Sequence, residues 1–211
     1  MKGKFIVIEG LEGSGKTTAI KYIINILKKN GILKLKKTRE PGSTLLNENL
    51  RKLIKHSIKN EIINKNTELL ILYAARIQLV ETIIKPNLNK GTWIIGDRHN
   101  MSSIAYQTGG RKIDKKITKT LTNLFLKDFK PDLTIYLDVI PEIGLNRIKN
   151  RKKKDRIEKE SLNFFYRTRK CYLKIIKKQK NLIFINANNK IKHVQKKIKL
   201  IIKNWIKKNN S

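Results

Sequence analysis

Residues 10–17 combine glycines, a lysine and a threonine in an order that suits phosphate binding. They follow the pattern G-x-x-x-x-G-K-[ST] and come directly after an apolar run. Glycines let backbone N–H groups turn inward around phosphate oxygens, and a helix that begins here adds partial positive charge. Lys16 can reach the β- and γ-phosphates, and the Thr17 hydroxyl can hold Mg²⁺. The loop predicts a nucleoside triphosphate site made of Gly10, Leu11, Glu12, Gly13, Ser14, Gly15, Lys16 and Thr17.

Two further segments put arginines where strands of a parallel sheet would end. Pro41 stops the second strand, which leaves Arg39 at its carboxyl edge. The third strand ends at Asp97, whose carboxylate can orient Mg²⁺ or a ligand hydroxyl, and Arg98 can bind a phosphate bidentately. We interpret His99 as a packed or capping residue, because a phosphate acceptor is already nucleophilic and needs no strong base.

A basic cluster at residues 147–156 predicts a short lid. It holds seven Lys or Arg residues in ten positions, against the single acid Asp155. Phosphoryl transfer needs positive charge at the transferred group, and Ser14 leaves the phosphate loop without an arginine. A movable element can supply that charge by closing from above. We interpret the lysines at 152–154 as solvated and expect the catalytic charge from Arg147, Arg151 and Arg156.

The order of apolar runs and helical patterns predicts an α/β fold. Strand-like runs alternate with helix-like stretches, which is typical of a parallel sheet with helices on both faces. Ligands then bind at the carboxyl ends of the strands. We predict a P-loop NTPase fold with a five-stranded parallel sheet, a short lid and one domain over 1–211. The predicted strands are 5–8, 33–38, 93–96, 133–137 and 182–185, and the predicted helices are 16–29, 45–56, 67–88, 113–127, 141–150, 158–179 and 190–207.

The chain is strongly basic, with 49 Lys and Arg residues against 16 Asp and Glu residues and a formal net charge of +33. The lysines are scattered, and residues 161–211 keep a helical apolar spacing although they contain no acid. Aromatic residues, on which single-stranded nucleic acid would stack, make up only 7%. We interpret the charge as compositional drift with solvated faces, and we expect no specific nucleic-acid partner.

Composition also favours a cytoplasmic protein. No apolar run approaches the length of a membrane span, and the four apolar residues after Lys4 are too few for a signal peptide. Cys171 is the single cysteine, so an internal disulfide is excluded. We therefore expect neither a membrane partner nor secretion.

Taken together, these segments resemble the bacterial type of the thymidylate kinase (dTMP kinase) family over nearly the whole chain. The likeness is strongest at 75–82 (Ala-Arg-Ile-Gln-Leu-Val-Glu-Thr) and 91–99 (Gly-Thr-Trp-Ile-Ile-Gly-Asp-Arg-His). The resemblance implies transfer of the γ-phosphate of ATP to dTMP, giving dTDP and ADP for dTTP biosynthesis. It also implies Mg²⁺ as cofactor and a homodimer.

The resemblance further implies roles for individual residues. Arg39 and Arg98 would clamp the dTMP phosphate, and Arg76 would lie by the thymine and the phosphate. Glu12 would face the deoxyribose and help Thr17 and Asp97 to place Mg²⁺. Lys16 and the lid arginines would stabilise the transferred phosphoryl group. Base and sugar would be lined by Leu72, Ser103, Tyr106 and Gln107, with the bulk of the tyrosine excluding a ribose 2′-hydroxyl.

Three positions depart from the family pattern. Leu72 stands where many members have a phenylalanine that stacks on thymine, a loss of about 1 kcal/mol. Ser43 stands where a second glycine is usual, and it is strained if the position needs a positive φ. Lys149 keeps a point charge where close relatives have the bidentate fork of arginine.

Two other functions remain open from the residues alone. Leu72 permits another nucleoside monophosphate kinase with a shifted base preference. The charge of +33 permits a P-loop ATPase that binds nucleic acid. The set of Arg39, Arg76 and Arg98 favours a kinase, because a clamp for a small monophosphate has no evident role on a duplex.

Overall fold

A computed structural model describes residues 2–56, 61–150, 155–177 and 181–209. The described residues form one parallel sheet of five strands. Its strands are β1 (Phe5–Gly10), β2 (Leu35–Arg39), β3 (Trp93–Asp97), β4 (Leu133–Asp138) and β5 (Leu182–Asn186). They lie in the order β2-β3-β1-β4-β5, so β1 is central and both of its neighbours come later in the chain. The predicted five-stranded parallel sheet is confirmed.

Helices connect the strands and cover both faces of the sheet. They are α1 (Lys16–Lys29), α2 (Leu45–Lys55), α3 (Lys65–Leu79), α4 (Lys85–Asn89), α5 (Asn100–Ser103), α6 (Lys115–Phe125), α7 (Pro141–Ile148), α8 (Leu162–Ile176) and α9 (Ile191–Asn209). Two π-helical segments, Val80–Ile84 and Ile104–Gly110, join α3 to α4 and extend α5. Among the described residues, no helix is both long enough and apolar enough to cross a membrane.

The two faces of β1 are buried against different helices. Ile6 and Ile8 pack with residues of α1 and α9 in one apolar cluster. Phe5 and Val7 point to the other side, where residues of 79–88 cover them. A strand buried on both faces is a continuous apolar run, which explains why β1 could be recognised from its sequence. The predicted arrangement of helices on both faces is confirmed.

The predicted helix over 67–88 is one continuous helical stretch from α3 to α4, widened at Val80–Ile84. Pro86 follows this π-helical turn and has no N–H to continue the regular ladder. The helical segment at 100–110 was not predicted. Its amino end is capped by a residue that is distant in sequence. Oε1 of Glu9 accepts hydrogen bonds from the backbone N–H groups of His99 and Ser102 (2.8 and 3.2 Å).

The strand register brings the chemical motifs to one edge. Ile8 of β1 pairs with Asp97 of β3, and Asp97 pairs in turn with Arg39 of β2. The phosphate loop (residues 10–17) leaves β1 at this same carboxyl edge. Functional side chains far apart in sequence therefore start from neighbouring strand ends, as expected for ligand sites in open α/β sheets.

Candidate active site

One cleft at the carboxyl edge of the sheet joins the phosphate loop to an arginine cluster. Among the described residues, its lining includes Gly13, Lys16 and Thr17 at one end and Arg39, Pro41 and Arg51 at the other. Between them lie Glu12, Leu72, Arg76, Asp97, Arg98, His99, Ser103, Tyr106 and Gln107. The cleft thus brings together the residues that the sequence assigned to the acceptor and to Mg²⁺.

The phosphate loop is shaped by glycines in left-handed conformations. Gly13 has a φ of 69°, and a Cβ atom there would lie 1.9 Å from the carbonyl oxygen of Gly144 in α7. The Lys16 ammonium lies over the loop and donates to the carbonyl oxygens of Gly10 (3.1 Å) and Leu11 (2.8 Å). Burial, with repulsion from Arg98, lowers the pKa of Lys16 to about 8. A phosphate group would give this cation a directly bound anionic partner.

Arg98 is the most heavily tethered cation of the cleft. Its Nη2 donates to Oε1 of Glu12 (2.7 Å) and to the Tyr106 hydroxyl (3.1 Å), and its Nη1 donates to the Gly10 carbonyl oxygen (2.9 Å). The guanidinium also lies 4.9 Å from the centre of the Tyr106 ring. The backbone at Arg98 has a φ of 70°, a conformation that a non-glycine residue keeps only when its surroundings impose it.

Glu12, Arg98 and Tyr106 form a closed triangle, since the Tyr106 hydroxyl donates to Oε2 of Glu12 (2.5 Å). Burial raises the pKa of Tyr106 well above its usual range, and the Glu12 carboxylate adds to the shift. Tyr106 therefore remains a protonated donor at neutral pH. The triangle fixes Glu12, a phosphate-loop residue, to Arg98 at the end of β3.

Arg76 lies at the bottom of the cleft and is only 2% exposed. Its Nε donates to Oε2 of Glu40 (2.8 Å) and its Nη2 donates to the Ser103 hydroxyl (2.7 Å). The other oxygen of Glu40 lies 2.6 Å from Nδ1 of His99. Burial raises the pKa of Glu40, but Arg76 and His99 outweigh this effect and hold it below its usual range. The Glu40 carboxylate thus compensates the buried charge of Arg76. The interpretation of His99 as a packed residue agrees with this geometry.

Arg39 reaches the cleft from the end of β2 but is already paired with Glu48 (2.7 Å). Ser43, in the turn that follows, has a φ of 74°, so the position does need a positive φ. Two hydrogen bonds hold the strained residue. The Ser43 N–H donates to Oε1 of Glu48 (2.9 Å), and the Ser43 hydroxyl accepts from the Arg39 N–H (2.8 Å). A serine is tolerated here because the hydrogen bond of its side chain offsets part of the cost of the positive φ.

Of the predicted lid arginines, the structure describes Arg147 and Arg156, and neither of these two lines the cleft itself. Arg147 donates to the carbonyl oxygens of Gly13, Ala187 and Asn188 (3.3, 2.8 and 3.2 Å) and lines a second cavity between the phosphate loop and residues 187–198. Arg156 donates to the Ile54 carbonyl oxygen and to Glu68, and both of these residues line the cleft. Arg151 lies outside the described residues.

Sequence reasoning missed residues that line the cleft and residues that support it from behind. Glu9 is fully buried on β1 and accepts from the hydroxyls of Ser102 (2.5 Å) and Tyr172 (3.0 Å). Arg51 of α2 lines the cleft and donates to the Pro41 carbonyl oxygen (2.8 Å). The only local signal was a charged residue inside an otherwise apolar strand at position 9. Tyr172 and Arg51 sit on ordinary amphipathic helices, where nothing in the local pattern distinguishes them.

The residues present fit a magnesium ion held together with nucleotide phosphates. Mg²⁺ prefers hard oxygen ligands and is usually bound by one or two carboxylates plus substrate phosphates. The Thr17 hydroxyl and the carboxylates of Glu12 and Asp97 all line the cleft beside Lys16. These oxygens are the donor set that the sequence predicted.

A phosphate loop that opens a helix at the carboxyl edge of a β2-β3-β1-β4-β5 parallel sheet defines a P-loop NTPase fold. Residues 8–198 match the family model described as thymidylate kinase. A thymidylate kinase of Buchnera aphidicola subsp. Schizaphis graminum is 56% identical, over 98% of this chain and 97% of its own. One from Wigglesworthia glossinidia brevipalpis is 51% identical over 99% of both chains. The chain belongs to the thymidylate kinase family, a family of phosphotransferases, as the sequence predicted.

Proposed function

We propose that this chain transfers the γ-phosphate of ATP to dTMP, forming dTDP and ADP on the route to dTTP. The name of its relatives, thymidylate kinase, supports dTMP as the acceptor. The single observation that carries the proposal is the shared cleft: Lys16 and Thr17 line it together with Arg98. Transfer requires a donor phosphate and an acceptor phosphate to be held in line, and a cleft with cations at both ends does this.

In the proposed reaction, an oxygen of the dTMP phosphate attacks the γ-phosphorus of ATP. The bond from that phosphorus to the β–γ bridging oxygen breaks, and ADP leaves with the bonding electrons. Lys16 and the inward N–H groups of the loop stabilise the negative charge that spreads over the transferred group. Arg98 and Arg39 hold the acceptor phosphate. The tethers on Arg98 support this role, because a preorganised donor spends little conformational entropy on binding.

Mg²⁺, when bound with ATP, supplies neutralisation of the β- and γ-phosphate charge. Thr17, Glu12 and Asp97 would hold it, partly through water. Glu12 would also accept a hydrogen bond from the deoxyribose 3′-hydroxyl. The Tyr106 ring, fixed by Glu12 and Arg98, would fill the space that a ribose 2′-hydroxyl needs. Leu72, Ser103 and Gln107 would line the base beside Arg76.

The second cavity supports a site for the adenosine part of ATP. Its lining includes Gly13, Ser14 and Gly15 of the phosphate loop, and it continues to Lys190 and Ile191 at the start of α9. Arg147 ties the loop to this wall through three carbonyl oxygens. A direct role of Arg147, Arg151 and Arg156 at the transferred phosphoryl group stays a prediction, as do the lid and the single domain over 1–211.

We also propose a homodimer that forms through the apolar face shared by α3 and α6. Leu70, Ile117 and Leu124 are 56%, 44% and 60% exposed on these helices, which contact each other through the Tyr73 hydroxyl and Thr122 (2.8 Å). Exposed apolar side chains on two helices that contact each other are typical of an interaction surface. Cytoplasmic location and the lack of a specific nucleic-acid partner remain predictions.

Phosphorus NMR of dTMP mixed with MgATP and the protein tests the proposal. We expect the β-phosphate signal of dTDP to grow as the γ-phosphate signal of ATP declines. A protein that releases inorganic phosphate from ATP without forming dTDP would contradict the proposal. Strong stimulation of that release by a polynucleotide would favour the nucleic-acid ATPase instead.

A further inference from the structure

Gln107 lines the acceptor cleft with one end of its amide bound and the other free. Its Nε2 donates to Oε1 of Glu68 (2.8 Å), and both residues are buried, at 2% and 1% exposure. Its Oε1 has no hydrogen-bond partner among the described residues. A buried amide oxygen without a donor is costly and marks a position where a ligand group can bind.

The orientation of this amide follows from the chemistry of Glu68. An ionised carboxylate can only accept hydrogen bonds, so the atom of Gln107 that faces it must be the nitrogen. A flipped amide would set two oxygens against each other. The amide oxygen is therefore directed away from Glu68 and offers an acceptor to whatever occupies the cleft.

Glu68 is kept ionised although it is buried. Oε1 accepts from Nε of Arg111 (3.2 Å), and Oε2 accepts from Nη2 of Arg156. Burial raises the pKa of Glu68, but the two arginines outweigh this effect and leave it below the usual range. Arg111 is held in turn by Glu160. The carboxylate thus has a fixed charge and a fixed position.

We propose that Glu68 is a positioning residue that sets base specificity by locking Gln107 with its oxygen toward the substrate. The inference rests on the proposed function, with the pyrimidine of the acceptor lying beside Gln107. The imide bases thymine and uracil carry an N3–H donor, which matches a lone acceptor. Cytosine carries an unprotonated N3 acceptor, which would face the amide oxygen and be rejected.

The variant Glu68→Gln tests this directly, because its neutral amide can donate as well as accept. The lock on Gln107 is then released, and the amide can turn to present either atom. We expect the ratio of kcat/KM for dTMP to that for dCMP to fall at least about fivefold, since one mismatched buried polar contact governs it. Glu81→Gln is the matched control, because it removes an exposed carboxylate that pairs with Lys85 outside the cleft, and its ratio should not change.

A merely structural role would lower the rates with both nucleotides equally, and that result would overturn the proposal. Thermal melting of Glu68→Gln shows whether the variant folds. If the variant does not fold, the proposal is tested on the unaltered protein with N3-methyl-dTMP, which lacks the N3–H donor. Calorimetry should show at least about fivefold weaker binding than for dTMP, and equal binding would overturn the proposal. Failure of the unaltered protein to phosphorylate dTMP at all would instead contradict the proposed function.

Discussion

Nη2 of Arg98 lies 2.7 Å from Oε1 of Glu12, so the end of β3 is joined to the phosphate loop by an ion pair. The pair spans the boundary between the part of the cleft that suits the donor and the part that suits the acceptor. Both side chains are also bound to the Tyr106 hydroxyl. Because we propose that Arg98 binds the acceptor phosphate, a change at either residue should weaken acceptor binding first.

Arg98→Ala should weaken dTMP binding far more than ATP binding. Charge-assisted hydrogen bonds contribute about 1.5–3 kcal/mol, so we expect a loss of roughly 10- to 150-fold for dTMP. ATP, held by the loop and by Lys16, should change by less than about threefold. Separate calorimetric titrations measure both. Equal losses for the two nucleotides would show that Arg98 does not serve the acceptor.

Arg147→Ala should impair the use of ATP and leave dTMP binding unchanged, which makes it a control for Arg98→Ala. The guanidinium links Gly13 to Ala187 and Asn188 and lines the second cavity. Without these contacts the wall of that cavity loosens, and the KM for ATP should rise by about fivefold or more. The Kd for dTMP should stay the same. A variant with unaltered KM for ATP and weakened dTMP binding would contradict this assignment.

ATP binding should be coupled to proton uptake at Lys16. The pKa of Lys16 is lowered to about 8 without nucleotide, so the amine is mostly neutral at pH 9 and mostly charged at pH 7. Phosphates favour the charged form and raise this pKa. Lys16 should therefore take up a proton when ATP binds at pH 9 and almost none at pH 7. The affinity for ATP should fall as the pH rises through 8. Calorimetry in buffers of different ionisation enthalpy counts the protons, and Lys16→Met should abolish the uptake. Uptake that persists in the variant would assign the proton elsewhere.

Leu72→Phe should tighten dTMP binding. Leu72 lines the cleft, and an aromatic ring there would add stacking of about 1 kcal/mol, or roughly fivefold in Kd. ATP binding is the internal control, because Leu72 does not line the second cavity. No gain for dTMP would remove Leu72 from the base pocket.

Leu124→Glu should convert the proposed dimer to a monomer, because a charge in an apolar interface is left without a partner. Leu200→Glu is the matched control, since Leu200 is similarly exposed (63% against 60%) but lies on α9, away from the α3–α6 face. Sedimentation velocity gives the oligomeric state of each. If the unaltered protein sediments as a monomer, the proposed interface does not exist.

Much of the fold could be predicted because its determinants are local. β1 is an apolar run, the phosphate loop is a short pattern, and α1 begins and ends at the predicted residues 16 and 29. The helical segment over 100–110 was not predicted. It contains two glycines and depends on Glu9, a residue about 90 positions earlier, for its amino-terminal cap. A long-range contact of this kind leaves no local pattern.

The site was predicted unevenly for the same reason. Residues at strand ends, such as Asp97 and Arg98, were recognised because parallel strands bring their carboxyl ends together. The compensating charges were not. Glu40 and Glu68 lie in unremarkable polar positions, and only the folded chain brings them to Arg76 and Gln107. Arg156 was expected at the transferred phosphoryl group, whereas it is bound to Glu68 in this structure.

The most direct test of the central claim is ADP release with MgATP and a panel of acceptors: dTMP, dUMP, UMP, CMP, AMP and GMP. The account predicts the highest kcat/KM for dTMP, a lower value for dUMP and the lowest values for the ribonucleotides. It also predicts a loss of at least about 100-fold with dTMP in Lys16→Ala, equivalent to about 3 kcal/mol of transition-state stabilisation. A preference for ribonucleotides, or near-normal turnover in Lys16→Ala, would contradict the account.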